Sequence, residues 1–319
     1  MEFNTSYSQI LTNPFAIVSH DAGGAEILSS YVRRQGLACI YVLEGPARKI
    51  FERKLGSIEI LSLEDAIRSA SSVLCGTSWP SDLEYNAIKL ARASGKHSIA
   101  FLDHWVNYRE RFIRSGETCL PDEIWVGDAV AASMAKEIFQ TLPVHQVENP
   151  YFQDICQELA AIPKKSLSPS DGISVLYICE PIRTHALQQF GDERHWGYVE
   201  EDALRYFLSN IASLGRQVKR ILIRPHPSEP GDKYNWARNE FNLPIIQGGV
   251  RTLLEEMVDC DVVVGCESMA MVIGLLAGKR VISSIPPGGR ACVLPQKEIE
   301  SFQRILSGVK PIAESLPRL

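Results

Sequence analysis

The chain has 319 residues, of which 45% are hydrophobic and 22% charged, with a net charge of −5. That is the composition of a globular protein large enough for two ordinary domains, and the negative balance argues against broad nucleic-acid or anionic-membrane binding. Residues 1–13 are polar and hold no apolar core of the kind a signal peptide needs, and the apolar runs are strand-sized, so neither a leader nor a spanning helix is expected.

Taken in chain order, the first half alternates short apolar runs with helical patterns. FAIVSH (15–20) predicts a strand, AEILSSYVRRQG a helix ending at Gly36, CIYVL a strand, and PARKIFERKLG a helix ending at Gly56. SSVLCG, HSIAFLD and EIWVGD are further strands, separated by helical LEYNAIKLARASG and AVAASMAKEIF. A Ser-, Pro- and Lys-rich passage at 162–172 then reads as a linker, giving domains at 1–162 and 163–319. The pattern restarts beyond it: GISVLYICE, KRILIRPHP, DVVVGC and KRVISSI as strands, with EEDALRYFLSNIASLG, RTLLEEMVDC and ESMAMVIGLLAG as helices. A final helical stretch, PQKEIESFQRILSG, is expected to pack back on the first domain. Strand–helix alternation of this kind predicts an α/β fold of two Rossmann-like, doubly wound domains facing a cleft. The eight cysteines form no Cys-x-x-Cys pair and are expected to be reduced thiols of a cytoplasmic protein.

In open parallel sheets, ligands bind beyond the carboxyl ends of the strands, so the residues that follow each strand are the ones to question. After the first strand, HDAGG places His20 and Asp21 as candidate bases. Gly23 and Gly24 there allow a sharp turn into a helix start that suits an anion or sugar hydroxyl. The alternative role for Asp21 is a helix cap, and the spacing is not the full Gly-x-Gly-x-x-Gly of a dinucleotide site. In GTSWPSDLEY, Thr77, Ser78 and Trp79 are loop residues suited to lining an acceptor site, while Ser81 or Asp82 is expected to cap the next helix. In FLDHWVNYRERF, Asp103 and His104 offer acid/base chemistry, and Trp105, Tyr108 and Arg109 offer an aromatic and polar lining for a sugar. The alternative there is a structural loop that packs Trp105 and Phe112.

In the second half, Pro225 and Pro227 fix the backbone on both sides of His226, so a phosphate would meet an imidazole presented in one direction. Arg224 or Lys233 would strengthen that contact. Glu267 and Ser268 open a helix directly after a strand, where a hydroxyl and first-turn amides can meet an anion, or where either residue simply caps the helix. The one Asp-x-Asp, Asp259–Cys260–Asp261, stands before a strand and not after one, and a metal is not expected.

RPHPSEP followed by VVVGCESMAMVIGLLAGKRVIS resembles the donor half of GT-B-type glycosyltransferases. That superfamily takes in bacterial surface-polysaccharide and sialyltransferase-like enzymes and is related to the UDP-N-acetylglucosamine 2-epimerases. The similarity covers mainly 173–285. It implies that His226 and Ser268 hold the donor's phosphate, with Arg224 and Glu267 nearby. The resemblance further implies a metal-independent transferase without cofactor, which takes a nucleotide-sugar and a carbohydrate or glycoconjugate acceptor as partners and can form a homodimer. The first half lacks the acidic Asp/Glu-Asp/Glu-Gly motif of the sialyltransferases, although HDAGG stands in a comparable place, and it lacks the Gly-Thr-Arg-Pro-Glu of the epimerases. Epimerisation or hydrolysis of a sugar nucleotide, and non-catalytic binding of one, are the alternatives.

Overall fold

The computed structural model describes residues 14–79, 81–163 and 172–308. By contacts the chain divides into two compact units, Met1–Asp154 and Ile155–Leu319. The division falls inside a helix, α6 (Pro150–Ala161), rather than in the Ser/Pro-rich passage read as the linker, most of which lies outside the described residues.

The first unit runs β1 (Phe15–Ser19), α1 (Ala22–Gln35), β2 (Cys39–Leu43), α2 (Gly45–Leu55), α3 (Leu63–Ser69), β3 (Ser72–Cys75), α4 (Leu83–Ala93) and β4 (His97–Leu102). After β4 come a two-stranded hairpin, β5 (Ile113–Arg114) and β6 (Glu117–Thr118), then β7 (Glu123–Val126), α5 (Ala129–Ile138) and β8 (Val144–Gln146). Six strands form one parallel sheet in the order β2-β1-β3-β4-β7-β8. All five residues of β1 are buried, as expected of a central strand covered on both faces. Phe15, Ile17, Leu28, Phe51, Phe101 and Trp125 form the main core cluster, in which Tyr31 meets Trp125 edge-on at 5.6 Å. Helix α1 carries Arg33 and Arg34 in its last turn, where they suit the negative end of the helix dipole, and both pair with the buried Asp154 of α6.

The second unit runs β9 (Ile173–Ile178), α7 (Ile182–Phe190), α8 (Glu200–Ser209), β10 (Val218–Arg224), α9 (Trp236–Glu240), β11 (Ile245–Gln247) and α10 (Leu253–Val258). It continues with β12 (Val262–Gly265), α11 (Met269–Leu276), β13 (Arg280–Ser283), β14 (Ile299–Ser301) and α12 (Phe302–Leu306). Its six parallel strands are ordered β11-β10-β9-β12-β13-β14, the order of a Rossmann sheet. The tail does not follow the sequence expectation. Ile299–Ser301 adds an edge strand to this sheet, and Phe302 is fully buried against Tyr206 and Phe207 in the second unit's own core. Burying a Phe side chain contributes about 2 kcal/mol, which holds the last described helix on this unit.

The topology locates each unit's candidate site. Strand order reverses at β1/β3 in the first sheet and at β9/β12 in the second, and at such switch points the loops after the strands splay apart and leave room for a ligand. The eight cysteines are free thiols, and no helix among the described residues is long and apolar enough to cross a membrane.

Candidate functional site

At the switch point of the first sheet, β1 runs directly into His20 and Asp21. Asp21 stands at the cap position of α1 but makes no cap bond with its side chain. Its carboxylate instead accepts from the Ser78 hydroxyl at 2.8 Å, from the Trp79 amide at 3.2 Å and from His20 Nδ1 at 2.9 Å. A carboxylate can only accept, so Nδ1 carries the imidazole hydrogen and Nε2 is left as the basic atom. The ring lies against the start of α2, where a Cβ on Gly45 would come within 2.7 Å of Nε2. Gly45 also has φ of +50°, so both the close approach and the backbone require glycine there. Both His20 and Asp21 keep part of their surface in solvent, and Trp79 beside them is 43% exposed.

Beneath this pair lies Glu84, which sequence reasoning did not single out. It is 3% exposed, and its Oε1 accepts the His20 amide N–H at 2.8 Å while its Oε2 has no partner. Burial pushes its carboxyl up to about 7, against the opposing effect of the His20 amide.

The next strand end brings only part of the expected set to this edge. Asp103 pairs with Arg111 at 2.6 Å, and Arg111 also donates to the Thr77 carbonyl and hydroxyl. The Asp103 carboxylate lies so close to Gly23 that a Cβ there would be 2.0 Å from Oδ2. Gly24 approaches Gly76 in the same crowded turn, where its Cβ would stand 3.3 Å from the Gly76 Cα. His104 accepts the Trp105 amide at Nδ1, and burial holds its imidazole below the ordinary range, so it is neutral at pH 7. Asp103 and His104 form no hydrogen bond with each other; Asp103 is bound to Arg111 instead. Trp105 and Tyr108 are in the interior, at 4% and 2% exposure, and the Trp105 indole N–H donates to Asp128, which caps α5. Arg109 donates to the Ile138 carbonyl at the other end of α5 and lines a cavity of about 360 Å³ with Thr118, Gln140 and Thr141. The exposed aromatic face at this edge is therefore Trp79. The cap expected of Asp82 is absent too: Asp82 pairs with Arg114 at 2.6 Å, and the Ser81 hydroxyl accepts the Leu83 amide in its place.

At the switch point of the second sheet, the amides expected to meet an anion already meet one. The Glu180 carboxylate, directly after β9, accepts the N–H groups of Cys266 and Glu267 at 2.8 and 2.9 Å. Glu180 is 8% exposed, and burial pushes its carboxyl up to about 7. Glu267 in turn pairs with Arg290, whose guanidinium lies 4.1 Å over the Trp196 ring. Ser268 stands at the cap position of α11 without a cap bond, its Oγ buried and unpartnered, so neither Glu267 nor Ser268 is a simple cap.

Around His226 the charges are paired. Arg224 is bound to buried Glu256 at 2.6 Å, and Lys233 to Glu229 at 2.8 Å and to Glu200. Glu229 also accepts the His226 amide at 3.0 Å and the Tyr234 hydroxyl, which pins the Pro-rich loop from below. Arg224 is thus held by a carboxylate 32 residues away, and Lys233 by one 33 residues away as well as by Glu229 four residues before it; only the last of these pairings is local. Half-buried His226 itself is held below the ordinary histidine range by desolvation, with Glu229 opposing and His185 of α7 adding to the effect. Among the described residues no group of three or more His, Cys, Asp or Glu is arranged to hold a metal.

No protein-family model matches the chain, and no curated protein sequence matches it. Solved structures do. The glycotransferase of kitacinnamycin aligns with a TM-score of 0.51 at 12% identity, over 85% of this chain and 80% of that one. The α/β-galactoside α-2,3-sialyltransferase of Photobacterium phosphoreum aligns over 91% and 98% with a TM-score of 0.45 at 10% identity. Escherichia coli heptosyltransferase WaaC with ADP aligns over 85% and 86% with a TM-score of 0.42 at 13% identity. The first of these likenesses shows a shared fold: the chain is built on two Rossmann-like α/β units in a GT-B-like fold.

Proposed function

We propose that the chain is a glycosyltransferase that moves a sugar from a nucleotide-activated donor to a hydroxyl of a carbohydrate or glycoconjugate acceptor. The observation that carries this reading is the His20–Asp21 pair at the first switch point, part-exposed and fixed by Ser78, with the open face of Trp79 beside it. An aromatic face next to hydrogen-bonding groups suits a sugar ring. Asp21 holds the Nδ1 hydrogen, so Nε2 of His20 takes the proton of the attacking acceptor hydroxyl as the new bond forms at the anomeric carbon. Asp21 stabilises the resulting imidazolium, a division of labour general to Asp–His pairs. In the second unit, His226 and Ser268 meet the phosphate that leaves with the nucleotide. In this reading neutral and imidazole donors, not a metal ion, stabilise the leaving group.

The test is nucleotide release from UDP-, GDP-, CMP- and ADP-sugars with and without saccharide acceptors. Acceptor-dependent release is expected, unchanged by EDTA. Asp21→Asn is expected to lower it about 10²–10⁴-fold while leaving the melting temperature in place. Release without acceptor would mark a hydrolase instead. Neither turnover nor binding with any donor would end the proposal.

A further inference from the structure

At the amino edge of the first sheet, the edge opposite His20 and Asp21, lies a cavity of about 360 Å³. Two segments lead to it. Helix α5 starts at Asp128, just beyond the carboxyl end of β7, and as a crossover helix it returns to the amino edge where β8 begins. The chain that follows β4 runs beside it. Trp105 donates to Asp128 at the start of α5, and Arg109 donates to the Ile138 carbonyl at its end. Thr118 and Thr141, on the approaches to β7 and β8, line the cavity as well.

The lining combines every kind of hydrogen-bonding group. Arg109 is its one cation and Glu137 its one anion, so together they carry no net charge. Arg109 uses Nη2 on the Ile138 carbonyl at 3.1 Å, and its other guanidinium nitrogens have no partner among the described residues. The Glu137 carboxylate, the Gln140 amide and the hydroxyls of Thr118 and Thr141 likewise have none there. Phe139, met edge-on by Phe112 at 5.7 Å, and Leu142 add apolar surface. The volume falls in the range of about 300–1,000 Å³ that small-molecule sites occupy.

We propose that this cavity binds a small neutral saccharide, at a site separate from the His20–Asp21 edge. A carboxylate only accepts, a guanidinium only donates, and an amide and a hydroxyl do both. A ligand made of hydroxyls, each a donor and an acceptor, is the one that can satisfy all of them, and the apolar face of its ring suits Phe139 and Leu142. A phosphate would meet Glu137 as well as Arg109, with no surplus positive charge to hold it. A zwitterion would use Arg109 and Glu137 alone and leave Gln140 and both threonines without a role. On the glycosyl-transfer reading, on which this further step rests, the occupant is a part of the acceptor glycan away from the reacting hydroxyl, because the nucleotide end of a donor carries charge that the cavity does not offset.

Calorimetric titration of the full chain with lactose, maltose, cellobiose and chitobiose tests this, with inorganic phosphate and free glutamate as the charged comparisons. At least one disaccharide is expected to bind, with an affinity that does not change from low to high salt because the ligand is neutral. Glu137→Leu, which removes the anion, and Gln140→Trp, which fills the cavity, should each weaken that binding about tenfold or more. Both positions are exposed, and melting temperatures confirm that the variants are folded. Trp79→Ala, at the opposite edge, should leave it unchanged. No binding by any of the four disaccharides, tighter binding of phosphate or glutamate, or affinity untouched by both cavity variants would overturn the proposal. Binding lost in Trp79→Ala but kept in Gln140→Trp would remove the cavity site and leave the transferase reading standing. Binding at the cavity in a chain that turns over no sugar nucleotide would do the reverse.

Discussion

At the carboxyl edge of the first sheet, Asp21 and His20 bond to each other and to neutral donors, and part of both remains in water. At the matching edge of the second sheet, Arg224, Lys233 and Arg290 are each bound to a carboxylate, and Glu180 sits on backbone amides. Both edges bury one acid whose carboxyl is pushed up to about 7, Glu84 below β1 and Glu180 after β9. The same topology has thus been finished in two ways. The first edge leaves titratable groups free to exchange a proton with a ligand, whereas the second uses its charges to fix loop geometry and leaves imidazoles and hydroxyls for contact. A Rossmann switch point dictates where a site lies; the pairing of its charges decides what it can do.

The sharpest way to break this contrast is to remove one charge from each edge. Arg224→Ala leaves Glu256 buried with only the Gly249 and Arg251 amides as partners. Removing one member of a largely buried pair should cost about 3 kcal/mol in urea unfolding. Asp21→Asn removes a part-exposed charge whose neighbours are neutral donors, and should change stability by less than about 1 kcal/mol while abolishing most turnover. Equal losses in the two variants would mean that the edges do not differ as described.

The buried acids provide a test of what the edges share. Each carboxyl moves from an ordinary 4.5 to about 7 on folding. The folded chain therefore holds these two protons more tightly than the unfolded chain between those values. Their contribution to stability should fall as pH rises from 4.5 to 7 and level off above it, by about 3 kcal/mol for each acid, while the lowered imidazoles of His104 and His226 contribute a slope of the opposite sign. Glu84→Gln and Glu180→Gln should each remove their share of that slope and be more stable than the parent at pH 8. Melting curves of the parent and both variants from pH 4 to 8 check this, and a parent-minus-variant difference that rises through the window would refute it.

The fold was legible because its signals are local. The apolar runs 15–19, 97–102, 173–178 and 262–265, with helical spacing between them, mark central strands and their crossovers. Three-residue edge strands such as 144–146 and 245–247 are too short for a period to show, and the tail helix was expected on the other unit because its core partners, Tyr206 and Phe207, lie nearly a hundred residues earlier and leave no local mark on Phe302. Of the site, the strand-end positions of His20, Asp21, His226 and Ser268 could be read, since position after a strand is a local property. Their partners could not. Glu84 reads as one acid in an amphipathic helix and Glu180 as one acid before a proline, and only the folded backbone brings amides 64 and 86 residues away onto them. Trp105 and Trp79 are equally aromatic in sequence, and burial alone separates the packed ring from the open one.

The smallest expected effect refines the first edge further. Gly23 begins the turn that lets Asp103 reach Arg111, and a methyl there would collide with Asp103 Oδ2, whose partner oxygen is fixed by Arg111 at 2.6 Å. Gly23→Ala should therefore swing the carboxylate off Arg111 and cost about 1 kcal/mol, even though alanine in a helix's first turn is ordinarily favoured over glycine. Removing the obstacle reverses the sign. In an Asp103→Ala background the same Gly23→Ala change should become neutral or stabilising by up to about 1 kcal/mol, a non-additivity that a double-mutant cycle measures directly. If the two changes simply add, the turn is not limited by that carboxylate, and the glycine must be explained by its own backbone instead.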